Sequence, residues 1–185
     1  MVIHVRRAIV EDAAGISHVH VDTWRSTYRG MVSDEYLSNL SYERSQRMWE
    51  ANIKGPNAQV VLVADDSEKG VIGFAACGPA RDLKDAFKGE LYAVYVLRDE
   101  QGRGVGRRLV LSAGRDLIAH GLDSMLVWVL ADNPSRRFYE HLGGEKVAEK
   151  DADVGGRNLR ELAFGWRNLT SLISALEPAV GNGNA

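Results

Sequence analysis

Cysteine is nearly absent from this chain: Cys77 stands alone among 185 residues, so no disulfide can close within it. Long hydrophobic runs are missing too, and nothing approaches the roughly twenty apolar residues of a membrane-spanning helix. The opening Met1-Val-Ile-His-Val-Arg-Arg lacks the apolar stretch of a secretory signal. A reducing cytoplasm and no membrane partner are the expectations. Charge of one sign is scarce: 23 basic against 25 acidic residues leave a net −2. No basic run exceeds Arg107-Arg108 or Arg136-Arg137, which argues against nonspecific nucleic-acid binding. Metal-binding patterns are also wanting. His18 and His20 are two apart and point different ways on a helix, and neither HExxH nor CxxC occurs. No metal is expected, and the five histidines read as satisfied or surface groups.

What is present suits one compact unit. Hydrophobic residues make up 45% and charged residues 26% of a length usual for a single domain, enough for an ordinary core. Ile3-His-Val-Arg reads as a first strand, and Glu11-Asp12 place acid at the start of a helix carrying Ala13, Ile16, Val19 and Trp24. Shorter helices are expected over 33–39 and 42–53, broken by Gly55-Pro56-Asn57. Residues 59–64 and 71–77 form a hairpin pattern, followed by an apolar strand over 91–97 and a helix from Val105 to Ile118 with Gly121 as its cap. Leu126–Leu130 is a further buried strand. Two more strands, 145–150 and 159–166, are linked by a polar segment with Gly155-Gly156 at its turn. The order β-α-α-β-β-β-α-β-α-β-β predicts an α+β fold, not a doubly wound parallel sheet. Its centre would be a mixed, mostly antiparallel sheet of about seven strands flanked by helices. One domain over 1–168 and a C-terminal tail over 169–185, frayed from Glu177, complete the expected organisation.

The informative stretch runs from Glu90 to Gly144. After the apolar strand comes Gln101-Gly102-Arg103-Gly104-Val105-Gly106-Arg107-Arg108, and then the helix. A helix start offers unpaired N–H groups and partial positive charge to phosphate oxygens, and glycines let those oxygens approach the main chain. A nucleotide P-loop fails, since no Gly-Lys-Ser/Thr ends the loop. A dinucleotide fingerprint is poor: Arg107 stands where the third small residue should pack. A bare glycine turn remains open on this segment alone.

Gln101-x-x-Gly104-x-Gly106 resembles the acetyl-CoA pyrophosphate loop of the GNAT superfamily of N-acetyltransferases. Downstream, Asn133-Pro-Ser-Arg-Arg-Phe138-Tyr139-Glu140-His-Leu-Gly143-Gly144 resembles that superfamily's Asn-x-x-Ala/Ser-x-x-Phe-Tyr-Glu-x-x-Gly-Phe segment, with Ser135 and Gly144 as mild departures. The resemblance follows the element order from Val2 to about Trp166. It implies an acetyltransferase fold in which the strand before the loop splays from its neighbour. It also implies acetyl-CoA as cosubstrate, bound by Gln101 to Arg107, the amides near Val94 and Val96, Asn133 and Arg137.

Tyr139 would be the general acid for the departing thiolate, or a packing aromatic beside Phe138. Asn133 would orient the pantetheine while capping its helix, with Pro134 at the first helical position. Glu90 is either a carboxylate base or a solvated strand-end charge beside Lys88. Trp24 and Tyr28, in Trp24-Arg-Ser-Thr-Tyr28-Arg-Gly30, belong either to the acceptor site, with Arg81 and Asp82, or to core and rim packing. The acceptor would be a primary amine of a small molecule or protein, acetylated directly in a ternary complex. A longer acyl-CoA, or a module that binds acetyl-CoA without turnover, are the alternatives. A homodimer is an expectation from family habit alone.

Overall fold

A computed structural model describes residues 2–55 and 59–177. Pro56 and Asn57, expected to break a helix, and the tail beyond Glu177, expected to fray, lie outside them. The strands are β1 (Ile3–Arg7), β2 (Val60–Asp66), β3 (Gly70–Pro79), β4 (Gly89–Val96), β5 (Met125–Leu130), β6 (Glu145–Val154) and β7 (Arg157–Trp166). The helices are α1 (Ala13–Thr27), α2 (Asp34–Ser38), α3 (Tyr42–Lys54), α4 (Val105–Ala119), α5 (Arg136–His141) and α6 (Leu169–Leu176). The strands form one sheet ordered β1-β2-β3-β4-β5-β7-β6. Every neighbouring pair is antiparallel except β4 and β5. The mixed, mostly antiparallel seven-stranded sheet read from the element order is therefore present.

Alternation in β2 shows how sequence sorts the two faces. Val61 and Val63 join Ala13, Ile16 and Val19 of α1 and Trp49 of α3 in one buried cluster, while Leu62 and Ala64 turn to α4 on the opposite face. This is the period-two pattern of a strand buried on both sides. On α4, Val105, Leu109, Val110, Ala113 and Leu117 recur at helical spacing and are all buried. Ser33 and Ser41 accept from the amides of Tyr36 and Arg44, which sets the starts of α2 and α3.

Three expectations need correction. The segment from residue 169 is not a tail. Leu169, Leu172 and Leu176 are buried in the same core as α4, and Asn168 caps the helix by accepting from Ser171. Each such leucine contributes roughly 1.5–3 kcal/mol of burial, so the compact unit runs to the end of α6. Next, the polar stretch between the last two strands is itself strand. Gly155 and Gly156 both have positive φ, 61° and 75°, which allows a two-residue turn, and pairing extends to Val154↔Arg157. Finally, α5 begins at Arg136 with Ser135 as its cap. Asn133 stands before it in a turn, accepting from the Ser135 amide at 2.9 Å.

The feature that positions the site is the β4–β5 pair. It is the sheet's parallel pair, and only Gly89↔Met125 and Glu90↔Leu126 are in register. Beyond Glu90 the two strands diverge.

Candidate active site

Divergence leaves hydrogen-bonding groups without strand partners. The Leu97 amide donates to Ile72 at 3.0 Å on β3, and alternation along an antiparallel pair turns the Val94 and Val96 amides the other way, into the split. The Gln101 side chain donates to the Val96 carbonyl at 3.0 Å and ties the loop to the strand end. Gly102 and Gly104 have φ of 75° and 78°, a left-handed conformation that a side chain would strain. The first helical bond of α4 runs from the Arg108 amide to the Gly104 carbonyl, so the amides of Val105, Gly106 and Arg107 have no acceptor within the helix. A cleft of about 720 Å³ follows the split, with the loop and the start of α4 along one side.

The arginines sort differently from expectation. Arg107 lines the cleft, yet its guanidinium reaches the Leu176 carbonyl of α6 at 2.8 Å. Arg103 bonds Glu100, and Arg137 is exposed on α5; neither lines the cleft. Arg98, which sequence reasoning passed over, does. Its place immediately after β4 and before the glycines was the available signal.

On the far side, α5 presses Phe138 toward the start of α4; a Cβ on Gly106 would lie 3.3 Å from its ring. Tyr139 is buried at 6% exposure and packs near Phe164 and Trp166. Its hydroxyl has no hydrogen-bond partner among the described residues. Burial, with a smaller contribution from Tyr28, raises its pKa above the ordinary value, so the phenol stays protonated through neutral pH. Tyr139 therefore packs as an aromatic, and it also lines the cleft.

Asn133 is buried, and its amide points toward the Tyr28 hydroxyl at 3.4 Å. The Tyr28 ring lies tilted by 39° against Trp24, centroids 4.5 Å apart, and the Trp24 indole N–H donates to the Tyr95 hydroxyl at 3.1 Å. Trp24 and Tyr28 are therefore packed against each other and also line a second cavity, of about 510 Å³. Tyr28, Tyr92, Tyr95, Trp128 and Val129 border both cavities, so the two spaces meet at an aromatic junction.

Glu90 is not a solvated strand-end charge. It is 2% exposed, and Lys88 pairs with Asp123 instead. One Glu90 oxygen accepts from the Arg81 guanidinium at 2.6 and 3.2 Å, the other from the Arg81 amide at 2.8 Å. Arg81 in turn lies 4.2 Å over the Tyr92 ring. These three bonds clamp the carboxylate against Arg81. Arg81, Asp82 and Glu90 line the second cavity together with Lys150 and Glu161. Neither of the last two was visible as a site residue from sequence, because they come from strands far along the chain. Among the described residues no group of three or more His, Cys, Asp or Glu side chains is placed to hold a metal. No helix among them is long and apolar enough to cross a membrane.

Comparison with known proteins agrees with this geometry. The family model for FR47-like protein matches residues 80–152, which hold the loop, β5 and α5. An uncharacterized N-acetyltransferase, YuaI, of Bacillus subtilis is 40% identical over 93% of this chain and 97% of its own length. The L-methionine sulfoximine/L-methionine sulfone acetyltransferase of Pseudomonas aeruginosa is 26% identical over 94% of this chain and 95% of its own. The crystal structure of the PaiA N-acetyltransferase of Thermoplasma acidophilum in complex with coenzyme A superposes with a TM-score of 0.67 at 21% identity, covering 88% of this chain and 98% of that one. Together with the split strands and the glycine loop, these likenesses place the chain in the GNAT superfamily of acetyl-CoA-dependent N-acetyltransferases.

Proposed function

We propose that acetyl-CoA lies in the β4–β5 split and that its acetyl group passes directly to an amine entering through the second cavity. The observation that carries this reading is the meeting of the two cavities at an aromatic junction, with the unpartnered Tyr139 hydroxyl bordering the cleft. The residues fit the cosubstrate. Amides of Val105, Gly106 and Arg107 would bind pyrophosphate oxygens at a helix start without a Cβ in the way at Gly102 or Gly104. The amides of Val94 and Val96 would bond the pantetheine and the thioester oxygen. Gln101 holds the strand end, and Asn133 orients the pantetheine from the turn before α5.

Acetyl-CoA supplies a thioester carbonyl open to attack and a thiol leaving group. The protein's share is to hold the carbonyl oxygen, remove a proton from the amine and protonate the sulfur as the carbon–sulfur bond breaks. Tyr139 serves the last step, and its raised pKa suits a group that must still carry its proton at neutral pH. An alkylammonium of pKa ~10.4 must give up a proton, which passes to solvent water at a cost of roughly 4–5 kcal/mol at neutral pH. Glu90, with both oxygens bonded, is assigned to holding Arg81 at the acceptor cavity and not to that transfer.

Calorimetric titration with acetyl-CoA, CoA, NAD and ATP, followed by thiol release across amine classes, tests the reading. Selective CoA-thioester binding with amine-dependent release supports it. Binding without release would point to a sensing module, and absence of CoA binding would refute the site.

A further inference from the structure

We infer that Glu161 determines acceptor specificity and that the acceptor is a cationic aliphatic amine without a carboxylate. This rests on the acetyltransferase reading above and concerns the other half of the same site. Glu161 sits on β7, opposite Leu130 of β5 and Lys150 of β6. Residues directly opposite on neighbouring strands share a face, so Glu161 lies on the face that lines the acceptor cavity. Its side chain is one-fifth exposed, and the nearest cation, the Lys150 ammonium, is 4.0 Å away. It makes no hydrogen bond among the described residues.

The other charges in the cavity are compensated at shorter range. The Arg81 guanidinium is 2.6 Å from Glu90 and the Lys150 ammonium 2.9 Å from Asp82. Subtracting these two pairs from the five charges leaves one negative charge, on Glu161. Glu161 shares this cavity with the Tyr28 hydroxyl and with Arg81, and its charge acts on both.

A carboxylate-bearing acceptor meets a different balance. Arg81 is already held by the buried Glu90 at Nε and Nη2, so an acceptor carboxylate would find only part of its guanidinium free and its charge already paired. Lys150 is paired with Asp82 and lies 4.0 Å from Glu161, so an anion recruited there would face the surplus charge of Glu161.

Direct binding tests this apart from catalysis. The protein saturated with CoA is titrated calorimetrically with 1,5-diaminopentane and with methionine sulfone, as wild type, Glu161→Gln and Glu161→Asp. The diamine should bind wild type more tightly than the sulfone, at least about tenfold more weakly in Glu161→Gln, and with part of the loss restored in Glu161→Asp. CoA affinity should be the same in all three. Equal diamine affinity in wild type and Glu161→Gln, no diamine binding at all, or preference for the sulfone would overturn the inference. Failure of the acetyltransferase reading looks different: the diamine would bind as described, yet acetyl-CoA would release no thiol.

Discussion

The cavity proposed for the donor and the one proposed for the acceptor share a border and are built by opposite means. The donor side is largely main chain: strand amides without partners, a loop of left-handed glycines and a helix start. The acceptor side is side chain: two ion pairs, one loosely held carboxylate and a ring of aromatics. Backbone geometry recognises what every acyl-CoA has in common, whereas side chains from scattered strands can change without disturbing it. On the proposed reading, one half defines the reaction and the other the acceptor.

Substitutions should separate the halves. The largest effect is expected for Gly104→Val, because a β-branched residue at φ 78° distorts the loop. Acetyl-CoA affinity measured by calorimetry should fall by at least about a hundredfold, at a stability cost of about 1–2 kcal/mol. Undiminished affinity would mean that the phosphates lie elsewhere. Next is Tyr139→Phe, in the donor cleft. Turnover should fall by about 10²-fold or more with acetyl-CoA affinity nearly unchanged, and an unaltered rate across pH would remove Tyr139 from the mechanism.

Arg81→Ala belongs to the acceptor side alone. It leaves the buried Glu90 with only a backbone donor, and should lower stability by roughly 2 kcal/mol once the exposure of Arg81 is discounted. Chemical denaturation reads that loss, while CoA affinity should stay at the wild-type value. The smallest effect sharpens the contrast through pH. Burial depresses the pKa of His20 to about 4, and its ring lies 5.7 Å from Tyr95 and 5.9 Å from Trp24 in the acceptor wall. The unfolded histidine takes up its proton first, near pH 6.5. The stability held by neutral His20 is therefore complete above that pH and lost as pH falls toward about 4. Replacing His20 with Gln should flatten the denaturation profile over that window by up to about 2 kcal/mol, with partial exposure reducing the full linkage value.

Legibility divides along the same line. The loop, the parallel strand pair and Tyr139 sit within one continuous stretch whose glycine spacing and strand-to-helix order are physical signals in themselves. Glu161 and Lys150 reach the acceptor cavity only through the order β5-β7-β6, which no local pattern announces. Glu90 was visible as an acid at a strand start. That it is buried and clamped by Arg81 depends on a contact outside its own strand. Helix α6 is a different kind of miss. Leu169, Leu172, Ile173 and Leu176 follow helical spacing, a local signal that needs no distant contact to be recognised.

The most direct test of direct transfer is a rapid-quench experiment with acetyl-labelled acetyl-CoA, with and without a diamine, followed by separation of protein from small molecules. The account predicts label moving from CoA to the amine in a single turnover, with none on the protein at any time. Label accumulating on the protein before amine is added, or remaining on CoA when amine is present, would contradict it.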